Sequence, residues 1–192
     1  MHADYEDDVL GLPDDKEPTP YNLFYHACNA IKDRWPEAEP IIVQDPKWAF
    51  YYAKYVIKGR WPEVEPIIMK NPELAYSYAN YVIKDRWPEA EPTIMQEPRW
   101  SCHYAQLVIN GRWPEAEPTI MKDPCYIFYY ARDAIKGRWP EAEPFIMTSK
   151  WIDVYLSINY IESVEAMIST NPIFKTHMPD STPLRQDQLL EV

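Results

Sequence analysis

Arg34-Trp35-Pro36-Glu37-Ala38-Glu39-Pro40 is the first of five copies of one heptapeptide. The others begin at Arg60, Arg86, Arg112 and Arg138, each 26 residues after the last, and differ only at Val64, which replaces alanine in the second copy. Identity at a fixed interval of this length marks a tandem array of small structural units. A second series keeps the same interval: Pro20, Pro46, Pro72, Pro98 and Pro124, preceded by Thr19, Asp45, Asn71, Glu97 and Asp123. Thr, Asp and Asn are good N-caps, and proline at the first helical position lacks only an N–H that the helix would leave unbonded anyway. The spacing predicts a helix opening at each of these prolines.

Behind each proline runs an apolar stripe: Ala49, Tyr52, Ala53, Val56 and Ile57 in one copy, Ala75, Tyr78, Ala79, Val82 and Ile83 in the next. Steps of three and four residues trace one helical face. Gly59, Gly111 and Gly137, with Asp33 and Asp85 in the other copies, follow where a left-handed residue is expected to stop the helix. The heptapeptide then predicts a shorter helix, starting near Pro36 or Glu37, ending near Gln44, with Trp35, Ala38 and Ile42 on one face. Pro40 is tolerated there because the first turn makes no intrahelical N–H bonds. Glu37 and Glu39 suit the positive end of the helix dipole.

Helices of about 13 and about 8 residues are too short to stand alone, so the units must stack. The expected fold class is therefore all-α, an α-solenoid of about five 26-residue αα-hairpin repeats with degenerate capping units. Three segments are expected: an acidic flexible arm over 1–19, the solenoid over 20–174 and a loose tail over 175–192. Both ends of the array read as caps. Pro20 to Asp33 is a long helix with no short helix before it. After the last heptapeptide, Lys150 replaces the helix-opening proline behind Ser149, and the expected stripe is Asp153, Leu156, Ser157, Tyr160 and Ile161. A cap over about 150–174 would include a helix from Ser163 to Thr170 and a last cap signal at Asn171-Pro172. Ends of this kind stop growth, which favours a monomer over end-to-end stacking.

Composition narrows the function. The chain has 192 residues, with 20 prolines, 8 tryptophans and 15 tyrosines against only 4 glycines, which excludes collagen and glycine-rich phosphate loops. The formal charge is -11 and the aromatic content 15%, so the prolines belong to ordered places rather than a disordered chain. Over half of that charge lies in residues 1–20, where seven acids face the single Lys16. An acidic chain is a poor general binder of nucleic acid or of anionic membrane, and no apolar run is long enough to span a bilayer. The absence of a secretory leader and the three cysteines without a CxxC pair, Cys28, Cys102 and Cys125, fit a reducing cytoplasm.

The heptapeptide, followed by Ile-Met-Lys-Asp-Pro (120–124) and Tyr-Tyr-Ala (129–131), resembles a short-repeat family found in tailed-bacteriophage genomes and some bacteria. The resemblance covers about residues 20–150. It implies a phage protein made in the cytoplasm of an infected bacterium. It implies no activity, because the family carries no catalytic residues to transfer; His2, His26, His103 and His177 form no metal-ligand spacing, and no metal or cofactor is expected. The stacked-helix architecture is also distantly similar to tetratricopeptide and HEAT-type arrays, which carries over only a habit of binding partners.

Two sets of residues are candidates for binding. The first is the ladder Arg34, Arg60, Arg86, Arg112 and Arg138, each beside a tryptophan, which could form a track for small anions or stacked bases. The opposing reading has each arginine pairing with a Glu37- or Glu39-type carboxylate while the tryptophans lock neighbouring units. The second set varies from unit to unit and lies off the core stripe: Trp48, Tyr51, Tyr55, Tyr81, Arg99, Trp100, His103, Tyr126 and Tyr129. Aromatics that packing does not dictate are the residues of protein-binding hot spots, although they could equally pad contacts between units.

Conventional chemistry is not expected. Glu37 and Glu39 are two apart on a helix and do not face each other. His26 occupies a tyrosine slot and Cys102 an aromatic one, as packing residues; Cys102 and His103 are adjacent and point apart. The sequence thus predicts a non-enzymatic protein that binds a host protein, such as a defence or transcription component, and inhibits or redirects it. The alternative is a sponge for a small anion or nucleotide on the arginine ladder. The acidic arm could solubilise the chain, mimic a nucleic-acid backbone or dock on a basic surface.

Overall fold

The structure, a computed structural model, describes residues 17–158, with side chains through 156. Over this range the chain is an all-α repeat solenoid without strands. The long helices open at the prolines: α1 (Pro20–His26), α3 (Pro46–Tyr52), α5 (Pro72–Tyr78), α7 (Pro98–Tyr104) and α9 (Pro124–Tyr130). Between and after them come the short helices α2 (Glu39–Ile42), α4 (Glu65–Ile68), α6 (Glu91–Ile94), α8 (Glu117–Ile120) and α10 (Glu143–Ile146). A final helix, α11 (Ile152–Ile158), closes the described part. Consecutive long helices pack side by side. The acidic residues before Glu17, the expected helix over 163–170, the Asn171-Pro172 signal and the tail over 175–192 lie outside the described residues.

The N-caps form as the residue types require. The Asp45 carboxylate accepts from the N–H groups of Lys47 and Trp48 at 2.9 and 3.3 Å. Thr19, Asn71 and Asp123 cap their helices in the same way, whereas Glu97, one carbon longer, makes no such bond. Every long helix then widens. Its last five residues, such as Ala53–Ile57, are π-helical, and the Lys58 N–H reaches back five residues to the Ala53 carbonyl.

The backbone corrects the expected helix stop. The left-handed residue is not Gly59, Gly111 or Gly137 but the one before: Lys32, Lys58, Lys84, Asn110 and Lys136, with φ between 55 and 61°. The left-handed residue closes the π turn, its N–H bonding the carbonyl five residues back. The glycines are therefore not in the left-handed region, and a Cβ added to Gly59 would meet nothing within 4 Å. That explains why aspartate serves equally well at this position. Asp33 and Asp85 each accept the next backbone N–H, from Arg34 and Arg86, at 2.7 Å.

The short helix is also shorter than expected. Pro40 has no N–H to return to the Pro36 carbonyl, so residues 36–38 form a turn held by three-residue bonds, Ala38 to Trp35 at 3.1 Å and Glu39 to Pro36 at 3.3 Å. Only in the fourth copy does this turn close as a 3₁₀ helix, Pro114–Ala116.

The C-terminal unit is out of register by one residue. From Ile120 to Tyr130 is ten residues, but from Ile146 to Tyr155 is nine. The buried face of α11 consequently includes Tyr155, fully buried, while Asp153 of the expected stripe is exposed. The same slip puts Trp151 on Phe128, stacked at 5.7 Å, as Trp48 stacks on Phe24 and Trp100 on Tyr76.

Candidate functional site

The invariant residues form one network repeated along the array. Tyr52, the last residue of α3, accepts the backbone N–H of Trp35 at 2.6 Å and donates to a Glu39 carboxylate oxygen at 3.3 Å. The ring of the same tyrosine packs on Trp61, with centroids 5.2 Å apart. One side chain thus ties the preceding heptapeptide to the following one. Tyr78, Tyr104 and Tyr130 repeat both contacts, and Tyr155 repeats the hydrogen bonds despite the register slip. Burial holds the Tyr52 hydroxyl proton firmly, pushing its pKa up to about 12 against the opposing hydrogen bond from Trp35. His26 fills the tyrosine slot in the first unit and packs on Trp35 at 5.4 Å. No heptapeptide precedes it, so a hydroxyl there would have no Trp N–H to accept.

The arginine ladder is closed by the same glutamates. Arg34 meets Glu39 through Nε at 2.7 Å and Nη2 at 3.1 Å, the planar two-bond geometry that suits guanidinium and carboxylate. Arg60–Glu65, Arg86–Glu91, Arg112–Glu117 and Arg138–Glu143 are built identically. The Arg34 side chain is 49% exposed and its partner's 13%. A nearly buried carboxylate without a cation would be costly, so the arginine compensates a charge that the tyrosine network needs. The first glutamate of the next heptapeptide adds to this. Glu63, Glu89 and Glu115 act through their charge on Arg34, Arg60 and Arg86, and Glu141 reaches Arg112 at 3.4 Å. Each ladder arginine from the first to the fourth unit therefore sits among carboxylates of two successive units.

The variable residues face outward from the long helices and divide into two groups. Trp48, Tyr51, Trp100, His103, Tyr126 and Tyr129 are half-buried at unit junctions. Trp48 stacks on Phe24 and also touches Tyr21 and Tyr51, while His103 lies among Tyr76, Trp100 and Tyr126. Tyr55 and Tyr81 are exposed, at 51% and 46%, and Leu107 extends their line at 60%.

Cations lie on these rings. Lys54 Nζ is 3.7 Å from the Tyr81 ring centroid and 5.0 Å from that of Tyr55. Lys47 lies over Trp48 and Arg99 over Trp100, at 5.1 and 4.5 Å. Sequence reasoning placed Arg99 in the site and left out Lys47 and Leu107, which stand in the same variable columns as Arg99 and Tyr81, and it missed Lys54. The signal was available: positions 47, 51, 54 and 55 share one helical face opposite the buried stripe.

The fourth and fifth long helices add a polar link of their own. Gln106 donates to the Tyr129 carbonyl at 3.1 Å and to Asp133 at 3.2 Å, and Arg132 pairs with Asp133. Cys102 is fully buried beside Gln106, and burial pushes its thiol up to about 12, which leaves no thiolate for nucleophilic chemistry. Among the described residues no cluster of His, Cys, Asp and Glu could hold a metal ion, and no helix is long and apolar enough to cross a membrane. No family model, curated protein or solved structure matches the chain.

Proposed function

We propose that the protein is a non-enzymatic binding module, a phage-encoded factor that acts in the cytoplasm of the infected cell. In this reading it occupies a host protein, such as a defence or transcription component, through the outer face of its long helices, and inhibits or redirects it. The observation that carries the reading is the exposed line Tyr55, Tyr81 and Leu107. They hold the same place in successive units, the position varies across the array as Asn29, Tyr55, Tyr81, Leu107 and Asp133, and neither core packing nor junction packing requires an apolar residue there. Exposed aromatics beside half-buried ones, with cations over the rings, have the composition of an interface hot spot.

The alternative, an anion or nucleotide sponge on the arginine ladder, draws no support from guanidiniums already committed to carboxylates. Capture from host lysate tests the proposal. The parent chain is expected to retain a stoichiometric protein, and a Tyr55→Ser, Tyr81→Ser, Leu107→Ser variant of unchanged melting temperature is expected to lose it. A variant that still captures the protein, or a parent that captures none, would count against the outer face. A thermal shift with cyclic nucleotides would revive the sponge.

A further inference from the structure

Charge in the array is sorted by layer. The five long-helix spans, each taken to its left-handed stop (20–32, 46–58, 72–84, 98–110 and 124–136), carry eight cations against two acids, Glu73 and Asp133. The five connecting spans, 33–45, 59–71, 85–97, 111–123 and 137–149, carry seven cations against fifteen acids. The aromatic outer face thus belongs to a basic layer in a chain whose formal charge is -11.

Half of those eight cations have a local role. They are the stop lysines, at helix C-termini where the dipole favours positive charge. Arg132 is paired with Asp133 at 2.6 Å. Lys47, Lys54 and Arg99 remain, and none has a carboxylate partner among the described residues.

The middle of the face has a direction. Its two neighbouring columns read Lys54-Tyr55, Asn80-Tyr81 and Gln106-Leu107 in three successive units. Lys54 Nζ reaches the Tyr55 and Tyr81 rings at 5.0 and 3.7 Å, so the one cation on this line is held where the second and third long helices meet. Beyond it the line is neutral, and it ends on the most exposed apolar side chain, Leu107. The Arg132–Asp133 pair closes the next unit.

A surface that is cationic at one end and apolar at the other is complementary to a segment of the reverse pattern. We propose that the outer face takes an acidic segment of its protein partner in one direction, with carboxylates over Lys47 and Lys54 and apolar side chains over Tyr81 and Leu107. This rests on the reading of the outer face as a protein-binding surface, and it adds the partner's chemistry and polarity. A nucleic-acid strand fits less well. It presents a phosphate at every nucleotide, whereas the line offers one cation in three units, and the exposed Glu73 of the middle helix carries the opposite sign.

The test uses the full chain and a fluorescein-labelled synthetic peptide with glutamates in one half and leucines in the other. The controls are the same peptide with lysine for glutamate and a single-stranded DNA oligonucleotide. Anisotropy is expected to show binding of the acidic peptide alone, and a Lys47→Gln, Lys54→Gln variant is expected to weaken it about tenfold. Glutamine already stands in the Lys54 column at Gln106, so the fold accepts it. Direction is read from the indole N–H signals of ¹⁵N-tryptophan-labelled protein. A spin label on the glutamate end of the peptide is expected to broaden Trp48 more than Trp100, and one on the leucine end the reverse. No binding of the acidic peptide, equal binding of either control, full binding by the variant, or the opposite broadening pattern would overturn the proposal. The underlying reading fails separately, when the parent chain captures no lysate protein. Capture that the Lys47→Gln, Lys54→Gln variant retains in full overturns the acidic chemistry alone.

Discussion

The Tyr78 hydroxyl accepts the backbone N–H of Trp61 at 2.6 Å, seventeen residues earlier in the chain. This bond joins one heptapeptide to the next long helix, and the tyrosine gives its own proton to Glu65. The stack is thus held by an ordered relay from backbone N–H to phenol to carboxylate to guanidinium, as well as by apolar burial. Removing the hydroxyl leaves a buried N–H unsatisfied. Tyr78→Phe is expected to cost about 1–3 kcal/mol. Urea denaturation measures it, and a loss no larger than that of a surface substitution would show the relay to be incidental.

The two glutamates of the heptapeptide are expected to differ. Glu91 receives Arg86 at two oxygens and Tyr104 at one, whereas Glu89 is exposed and acts on Arg60 only through its charge. Glu91→Gln is expected to destabilise by about 1.5–3 kcal/mol, because it removes charge-assisted bonds from a nearly buried site. Glu89→Gln is expected to stay within about 0.5 kcal/mol. Thermal melts of the two variants side by side decide the matter, and equal losses would contradict the assignment.

Alkaline pH should open the array through the tyrosines. Burial raises Tyr52, Tyr78 and Tyr155 to about 12, and Tyr104 and Tyr130 are displaced in the same direction. A pKa raised by folding means that the folded state favours the protonated phenol. The stability this confers is therefore complete below the unfolded pKa of about 10, and is lost as pH rises from about 10 through 12. Tyrosinate absorbance and helical circular dichroism followed together are expected to change in concert over that window. Complete tyrosinate formation with the helices intact would contradict the burial.

The helix stops hold lysine in a left-handed conformation that glycine adopts more easily. Lys58→Gly is expected to stabilise by up to about 1 kcal/mol, less whatever the lysine charge contributes at the helix C-terminus. Gly59→Ala is expected to be neutral within about 0.5 kcal/mol, since its Cβ meets nothing and its φ is ordinary. Denaturation midpoints check both, and a large loss from Gly59→Ala would return the stop to the glycine.

The repeat, the caps and the buried faces were legible because they depend on periodicity, which 26-residue identity displays directly. What periodicity hides is any feature that depends on a count within one unit. The π turn closes with Lys58 rather than Gly59 in the left-handed region, and a spacing one residue shorter before α11 puts Tyr155 in the tyrosine slot. Neither leaves a local composition signal. The tyrosine relay was hidden for another reason: its partners are seventeen and thirteen residues apart on different units, and Tyr52 looked like an ordinary stripe residue. At the outer face, the sequence singled out the variable columns. It could not separate Trp48 and Trp100, wedged at junctions, from Tyr55 and Tyr81, which face solvent, because both groups lie on the same side of the helix.

The division of labour between invariant and variable residues is tested most directly by hydrogen exchange on the protein alone and with the partner it captures. Protection on binding is expected along the long helices, over 47–55, 73–81 and 99–107, with the heptapeptides at 34–40, 60–66 and 86–92 unchanged. Protection confined to the heptapeptides would contradict the account, since it would place the partner on the arginine ladder.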